Sequence, residues 1–340
     1  MPAENVPAPH LLLQIATGFW ASRALYIAAK LGIADRLAGG PESAEGLASA
    51  CGAHAGSLHR VLRALASLGV FAEDAQGRFI QTPLSLGLRS GASGSLREFV
   101  VMLGEPESWL AWGDVMYSVR TGQSAFEHVF GTTQFDYLAA HPDLARTFDA
   151  AMTERGTAEN EAVLAAWDFP QTGLVVDVGG GAGTLLAELL RNFDGLTGTL
   201  FDVAHVVDRA QTMVDAQGFT QRWQSVAGDF FTDPLPTGAD VYLLKKVSHD
   251  WDDTQAIAIL QACARAMSPT SRLLLIEPVI ALGNEPSFAK LLDLFMLVWP
   301  GGRERTMPEH ASIIVAAGLE LRRSVVTRSP LSILEASRPG

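Results

Sequence analysis

The sequence predicts a mostly helical front followed by an α/β doubly wound domain. Three observations predict it. From residue 170 onward, short apolar runs alternate with helical periodicity. The first run, Leu174 to Val178, meets a glycine turn and then a helix with Leu185, Leu186, Leu189 and Leu190 on one side. Before residue 168 the patterning is helical, broken by a single hairpin signal.

The chain has 340 residues, more than one core of about 250–300 residues usually holds. We divide it at 1–100, 101–168 and 169–340. The apolar fraction of 48% suffices for several cores, and the net charge of −12 argues against a nucleic-acid surface. Two cysteines, Cys51 and Cys263, make no disulfide framework, which points to a reducing cytoplasm. No signal peptide is visible. The apolar stretch Leu11 to Leu31 is interrupted by Gln14, Arg23 and Lys30, so it is expected to be an amphipathic helix pair rather than a membrane span.

Residues 1–9 read as a frayed tail. Residues 10–38 carry Leu12, Ile15, Phe19, Trp20, Leu25 and Tyr26 on more than one helical face, which suggests a subunit interface or burial within the chain. Pro41 and Glu42 open a helix to Ala50, and Ser57 caps another that Gly69 ends. Residues 70–74 and 78–80 then flank Ala75-Gln76-Gly77 as a hairpin, which completes a winged helix. A DNA-binding role is disfavoured, because residues 1–100 hold eight Lys/Arg against seven Asp/Glu. Residues 101–168 are helical and rich in aromatics that serve the core or wall an apolar pocket. Phe148 and Met152 share one helix face there.

Strands are expected at 174–178, 198–201, 223–227, 240–244, 272–276, 319–327 and 331–337. In a doubly wound sheet the first and fourth strands adjoin, and ligands bind at their carboxyl ends. The dinucleotide fingerprint fails, since Thr184 stands where its third glycine belongs. Gly179, Gly181 and Gly183 let the backbone approach a ligand, and Asp177 would suit an ammonium group better than a diphosphate. Asp202, 23 residues past Gly179, stands about where a carboxylate grips ribose hydroxyls. Asp229 could receive an adenine amino group with Phe230 against the ring.

His249, just past the fourth strand, is the best proton acceptor. Glu277 and Glu304 are candidates to hold its far ring nitrogen. A metal on His249, Asp250, Asp252 and Asp253 is disfavoured, because Asp252 or Asp253 serves better as the N-cap of helix 254–267. No metal is expected. No Gly-x-Ser-x-Gly elbow supports acyl-enzyme chemistry.

Together, Val176-Asp177-Val178-Gly179-Gly180-Gly181-Ala182-Gly183, Phe201-Asp202, Gly228-Asp229-Phe230, Leu244-Lys245-Lys246-Val247-Ser248-His249-Asp250-Trp251 and Gly301-Gly302-Arg303-Glu304-Arg305-Thr306 carry a resemblance. The chain resembles S-adenosylmethionine-dependent O-methyltransferases of the caffeate/hydroxyneurosporene type, over nearly its whole length. The resemblance implies a winged-helix dimerisation domain, a Rossmann-like class I methyltransferase domain, a homodimer and S-adenosylmethionine as cofactor. Gly179 to Gly183 would hold its methionine end, Asp202 its ribose, and Asp229 and Phe230 its adenine. Lys245 and Trp251 would line the same pocket. His249 would be the general base steered by Glu277 and Glu304, acting on a hydroxyl of an aromatic small molecule. Phe148, Met152 and Met296 match substrate-wall positions. Trp299 stands near a polar acceptor-binding position in a segment one residue shorter than in plant members. N- or C-methylation and non-methylating chemistry on the same fold stay open.

Overall fold

A computed structural model describes residues 7–340, the side chains of 211–217 excepted. The tail expected over residues 1–9 lies outside the described residues up to residue 6. From Ala8 the chain is already helical. It forms two compact units. The first is the chain up to Trp109 with Arg146–Arg155, and the second is Leu110–Ala145 with Gly156–Gly340.

In the first unit, Ala8–Lys30 is one helix of 23 residues rather than the expected pair. Leu12, Ile15, Phe19 and Trp20 on it are each at least half exposed. It is long and apolar enough to cross a membrane by length and composition. The helix expected from Pro41 begins at Ala44, because Glu42 bridges Phe79 and the Ser43 hydroxyl accepts from Gly46 N–H. In Ala55–Ser67 the cap is His54, whose Nδ1 accepts from Ser57 N–H, so Ser57 lies inside the helix. The hairpin follows as β1 (Phe71–Glu73) and β2 (Phe79–Gln81). Leu58, Leu62, Leu65, Phe71 and Phe79 are buried together in this unit's core.

The second unit holds an eight-stranded sheet. Its strands are β3 (Thr172–Val178), β4 (Gly195–Asp202), β5 (Trp223–Ala227), β6 (Val241–Lys245), β7 (Arg272–Ile280), β8 (Arg305–Thr306), β9 (Glu320–Val326) and β10 (Leu331–Ser337). The order is β5-β4-β3-β6-β7-β10-β9, with the two-residue β8 beside β7. β3 through β7 run parallel, and β10 and β9 are antiparallel additions. The expected adjacency of first and fourth strands is therefore present as β3 beside β6, with Asp177 paired to Leu243.

Alternate side chains feed two cores, which is why these strands read as unbroken apolar runs. Val176, Val178, Tyr242 and Leu244 pack with Ile259, Leu260, Ile313 and Ile314 from one side. Val175, Leu243, Leu274 and Ile276 pack with Leu185, Leu186, Leu189 and Leu190 from the other. The helix behind the glycine turn, Thr184–Asn192, docks so closely that a Cβ on Gly198 would lie 2.7 Å from Leu186 Cδ1. Leu186→Ala is expected to cost about 2–5 kcal/mol in thermal or denaturant unfolding. A cost below about 1 kcal/mol would mean this layer does not anchor the turn.

Candidate active site

The glycine turn starts where β3 ends. Gly179, Gly181 and Gly183 all adopt left-handed backbone, with φ of 66°, 59° and 70°. A Cβ on Gly183 would sit 2.5 Å from Trp223 and one on Gly179 2.9 Å from Val247, whereas Gly181 faces open space. Behind the turn lies Asp177, 1% exposed, whose Oδ1 has no hydrogen-bond partner. Burial pushes its carboxyl up to about 7, and the Lys245 cation offsets part of that. Asp202 ends β4 and receives Gly181 N–H at 2.9 Å and Val203 N–H at 2.8 Å. Burial raises its pKa and those two donors oppose the rise.

Asp229 forms a tight turn, accepting from Phe231 N–H at 2.8 Å while its own N–H reaches Asp233. Phe230 lies perpendicular to Trp251, with centroids 6.0 Å apart. Two rings not singled out from sequence join them. Phe231 meets Trp251 edge-on at 4.8 Å, and Phe135 stacks with it at 6.2 Å. Lys245 Nζ lies 3.3 Å from Glu159 and bonds Asn160, which in turn donates to Thr184 Oγ1 at 3.2 Å. Burial and the neighbouring Lys246 push Lys245 down to about 8. Glu159, Asn160 and Thr184 gave no spacing signal, because polar residues on a helix ordinarily read as a solvated face. Lys246, which pairs with Glu159 at 3.0 Å, turns the chain at φ 53°. Among the described residues it is the sole non-glycine residue with positive φ.

That turn delivers His249 on the short 3₁₀ segment Ser248–Asp250. The ring is buried. Its Nδ1 is 2.8 Å from Glu304 Oε1 and 3.9 Å from Glu277 Oε2, and its Nε2 is 3.6 Å from Asp250 Oδ1. Glu277, on β7, accepts from Ser248 Oγ–H at 2.8 Å, Ser248 N–H at 2.9 Å and Val247 N–H at 3.2 Å. Burial alone would lower the proton affinity of the imidazole. The carboxylates of Glu277, Asp250 and Glu304 overcome this and push it up to about 10. Burial in turn lifts Glu277 to about 7, with His249 opposing.

Of the four groups weighed for a metal, Asp252 caps helix Asp253–Ala266, accepting Gln255 N–H, and Asp253 pairs with Arg303 and Arg305. His249, Glu277 and Glu304 instead bring ligand atoms within 4.8 Å of one another. A proton shared between Nδ1 and Glu304 accounts for the shortest of these contacts.

Met296 and Trp299 are buried at the end of helix Phe288–Val298, with Trp299 5.4 Å from Phe126 and 5.1 Å from Phe295. The Trp299 indole N–H has no partner. Phe148 and Met152 are half-buried, one turn apart on helix Pro142–Ala166, and belong to the first unit.

The O-methyltransferase domain matches residues 112–320, and the O-methyltransferase dimerisation domain matches residues 13–88. The chain belongs to the O-methyltransferase family. It is 45% identical to a phenazine O-methyltransferase of Lysobacter antibioticus, over 98% of this chain and 97% of that protein. It is 31% identical to the phenazine-1-carboxylate N-methyltransferase of Pseudomonas aeruginosa, over 99% of this chain and all of that one. An O-methyltransferase of neocarzinostatin biosynthesis, solved with S-adenosylmethionine and 2-hydroxy-5-methyl naphthoic acid, is 36% identical with a TM-score of 0.81. That likeness covers 94% of this chain and 96% of the other. The dimerisation domain supports a homodimer. Methyltransferase turnover is expected to be unchanged by a chelator such as EDTA. Loss on chelation with recovery on adding a divalent ion would assign the His249 cluster to a metal.

Proposed function

We propose that this enzyme methylates a hydroxyl of a planar aromatic small molecule, with S-adenosylmethionine as donor and His249 as general base. The observation that carries the reading is the buried His249–Glu304 contact at the end of the strand adjoining the glycine turn. The cofactor fits the turn. The unpartnered Asp177 Oδ1 suits a cationic ammonium, and the open space at Gly181 leaves the backbone accessible. Asp202 is the ribose-binding group, Asp229 and Phe230 flank the adenine, and Lys245 and Trp251 complete the pocket. When bound, the cofactor supplies an electrophilic sulfonium methyl.

The protein supplies the rest. His249 donates Nδ1–H to Glu304 and presents Nε2 to the acceptor hydroxyl. Three carboxylates raise the proton affinity of the ring into the range of a phenol, about 10, so proton transfer between them is nearly balanced. The same shift keeps most of the imidazole protonated at neutral pH, so the active neutral form grows as pH rises toward about 10. Glu277 holds the turn by its backbone and hydroxyl contacts. Met296 and Trp299 line the acceptor side. A nitrogen acceptor is a second reading, which the phenazine-1-carboxylate N-methyltransferase relative favours. A ring nitrogen carries no proton to remove, so that reaction would not need the base. Its place of action is the cytoplasm, in a biosynthetic pathway.

Three outcomes follow. His249→Ala should lower turnover by at least about 10²-fold while S-adenosylmethionine still binds by calorimetry. Unchanged turnover would remove the base. At saturating acceptor, kcat should climb between pH 7 and 9, and Glu304→Gln should move that limb down toward the ordinary imidazole value near 6.5. Cofactor affinity should weaken as pH falls below about 7, where Asp177 takes up its proton, and Asp177→Asn should bind at least about 10-fold more weakly without that dependence.

A further inference from the structure

We infer that Arg305 is a positioning residue, and that its guanidinium locks the His249 turn against Glu304 and fixes Trp251 in the same stroke. The inference rests on the reading of His249 as the proton acceptor. Arg305 is among the largest fully buried side chains, at 0% exposure. A buried guanidinium is costly unless its N–H groups find acceptors. Here they do, and three of the four accepting groups lie on the segment 248–253. Nη1 donates to Ser248 O at 2.8 Å, and Nη2 donates to Trp251 O at 2.9 Å. These two carbonyls bracket His249 and Asp250. Nε and Nη2 both reach Asp253 Oδ1 at 2.9 Å, just past the helix cap. A longer contact of 3.4 Å closes back on Arg303 O.

The backbone before Arg305 presses on the same loop. Arg303 N–H donates to His249 O at 2.8 Å. A Cβ on Gly302 would lie only 2.1 Å from that oxygen, so glycine alone permits the approach. Glu304 sits between these two attachments. Its distance to His249 is therefore set by groups on both sides of it rather than by one hydrogen bond. Arg305 is also the link from the proton acceptor to the aromatic wall, because it holds the Trp251 carbonyl while Trp251 meets Phe230 and Phe231. Lysine could keep the charge but not the planar fork of donors.

The test uses the full-length enzyme and three measurements: the His249 imidazole titration by NMR, kcat, and thermal stability. The groups facing the ring are Asp250 of its own turn, Glu277 of β7, Glu304 before β8 and, farther off, His310 of helix Met307–Ala316. Arg305→Lys should lower kcat by about 10–100-fold and move the His249 titration down, because the ring leaves its carboxylates. Asp253→Asn, at a half-exposed partner, should fold and shift both in the same direction by a smaller amount. An unmoved His249 titration in Arg305→Lys overturns the inference. If Arg305→Lys does not fold, an unmoved titration in Asp253→Asn overturns it. Lost stability with the titration unmoved also overturns it, since that is a purely structural role. Failure of the base reading is separate: it would appear as full turnover in His249→Ala, whatever the titration does.

Discussion

The contact that organises the second unit is the one between a buried imidazole and a buried carboxylate, His249 with Glu304. Neither group would be tolerated alone in an apolar interior. Each needs the other, and both need geometry that cannot drift. The parallel register supplies part of it. Lys245 pairs with Ile276, so Glu277 lies one step further along β7, at the level where the chain leaves β6 and turns toward His249. The left-handed Lys246 makes that turn at a cost of about 1–3 kcal/mol, and its ion pair with Glu159 helps hold it.

The glycine turn and the His249 turn are two ends of one electrostatic arrangement. Asp177 is buried beneath the first, Lys245 stands between, and three carboxylates surround the second. Charges of both signs are held out of water at the carboxyl edge of adjoining strands. Preorganised charges of this kind assist a reaction without having to reorient during it. The strained or crowded positions, Gly183 against Trp223 and Gly302 against His249, cluster at this edge as well.

Much of this was readable from residue order. The central parallel strands β3, β6 and β7 were legible because both their faces are covered, which makes each one a largely apolar run. The Asp252 cap was legible because its partner lies three residues on, and the structure has the bond. Less legible were features that depend on distant partners. His54 is a cap only because its ring folds back onto Ser57. The first helix is single because nothing in Gln14 or Arg23 stops a helix. β8 has two residues, too few to show a period. At the site, His249 Nδ1 lies 2.8 Å from Glu304 and 3.9 Å from Glu277, because strand ends converge in this topology. Arg305 was hidden, because an arginine beside a glutamate and another arginine looks solvated, and only the loop folded over it makes it core.

The first helix carries a further consequence. Ile15, Phe19 and Trp20 stand out from their own unit, in a segment that matches a dimerisation domain. Wherever a second copy covers that face, association becomes part of folding. The melting point of such a protein then has no single value: it slides with dilution, and a sample assayed at nanomolar strength is a less stable material than the same sample in a concentrated stock.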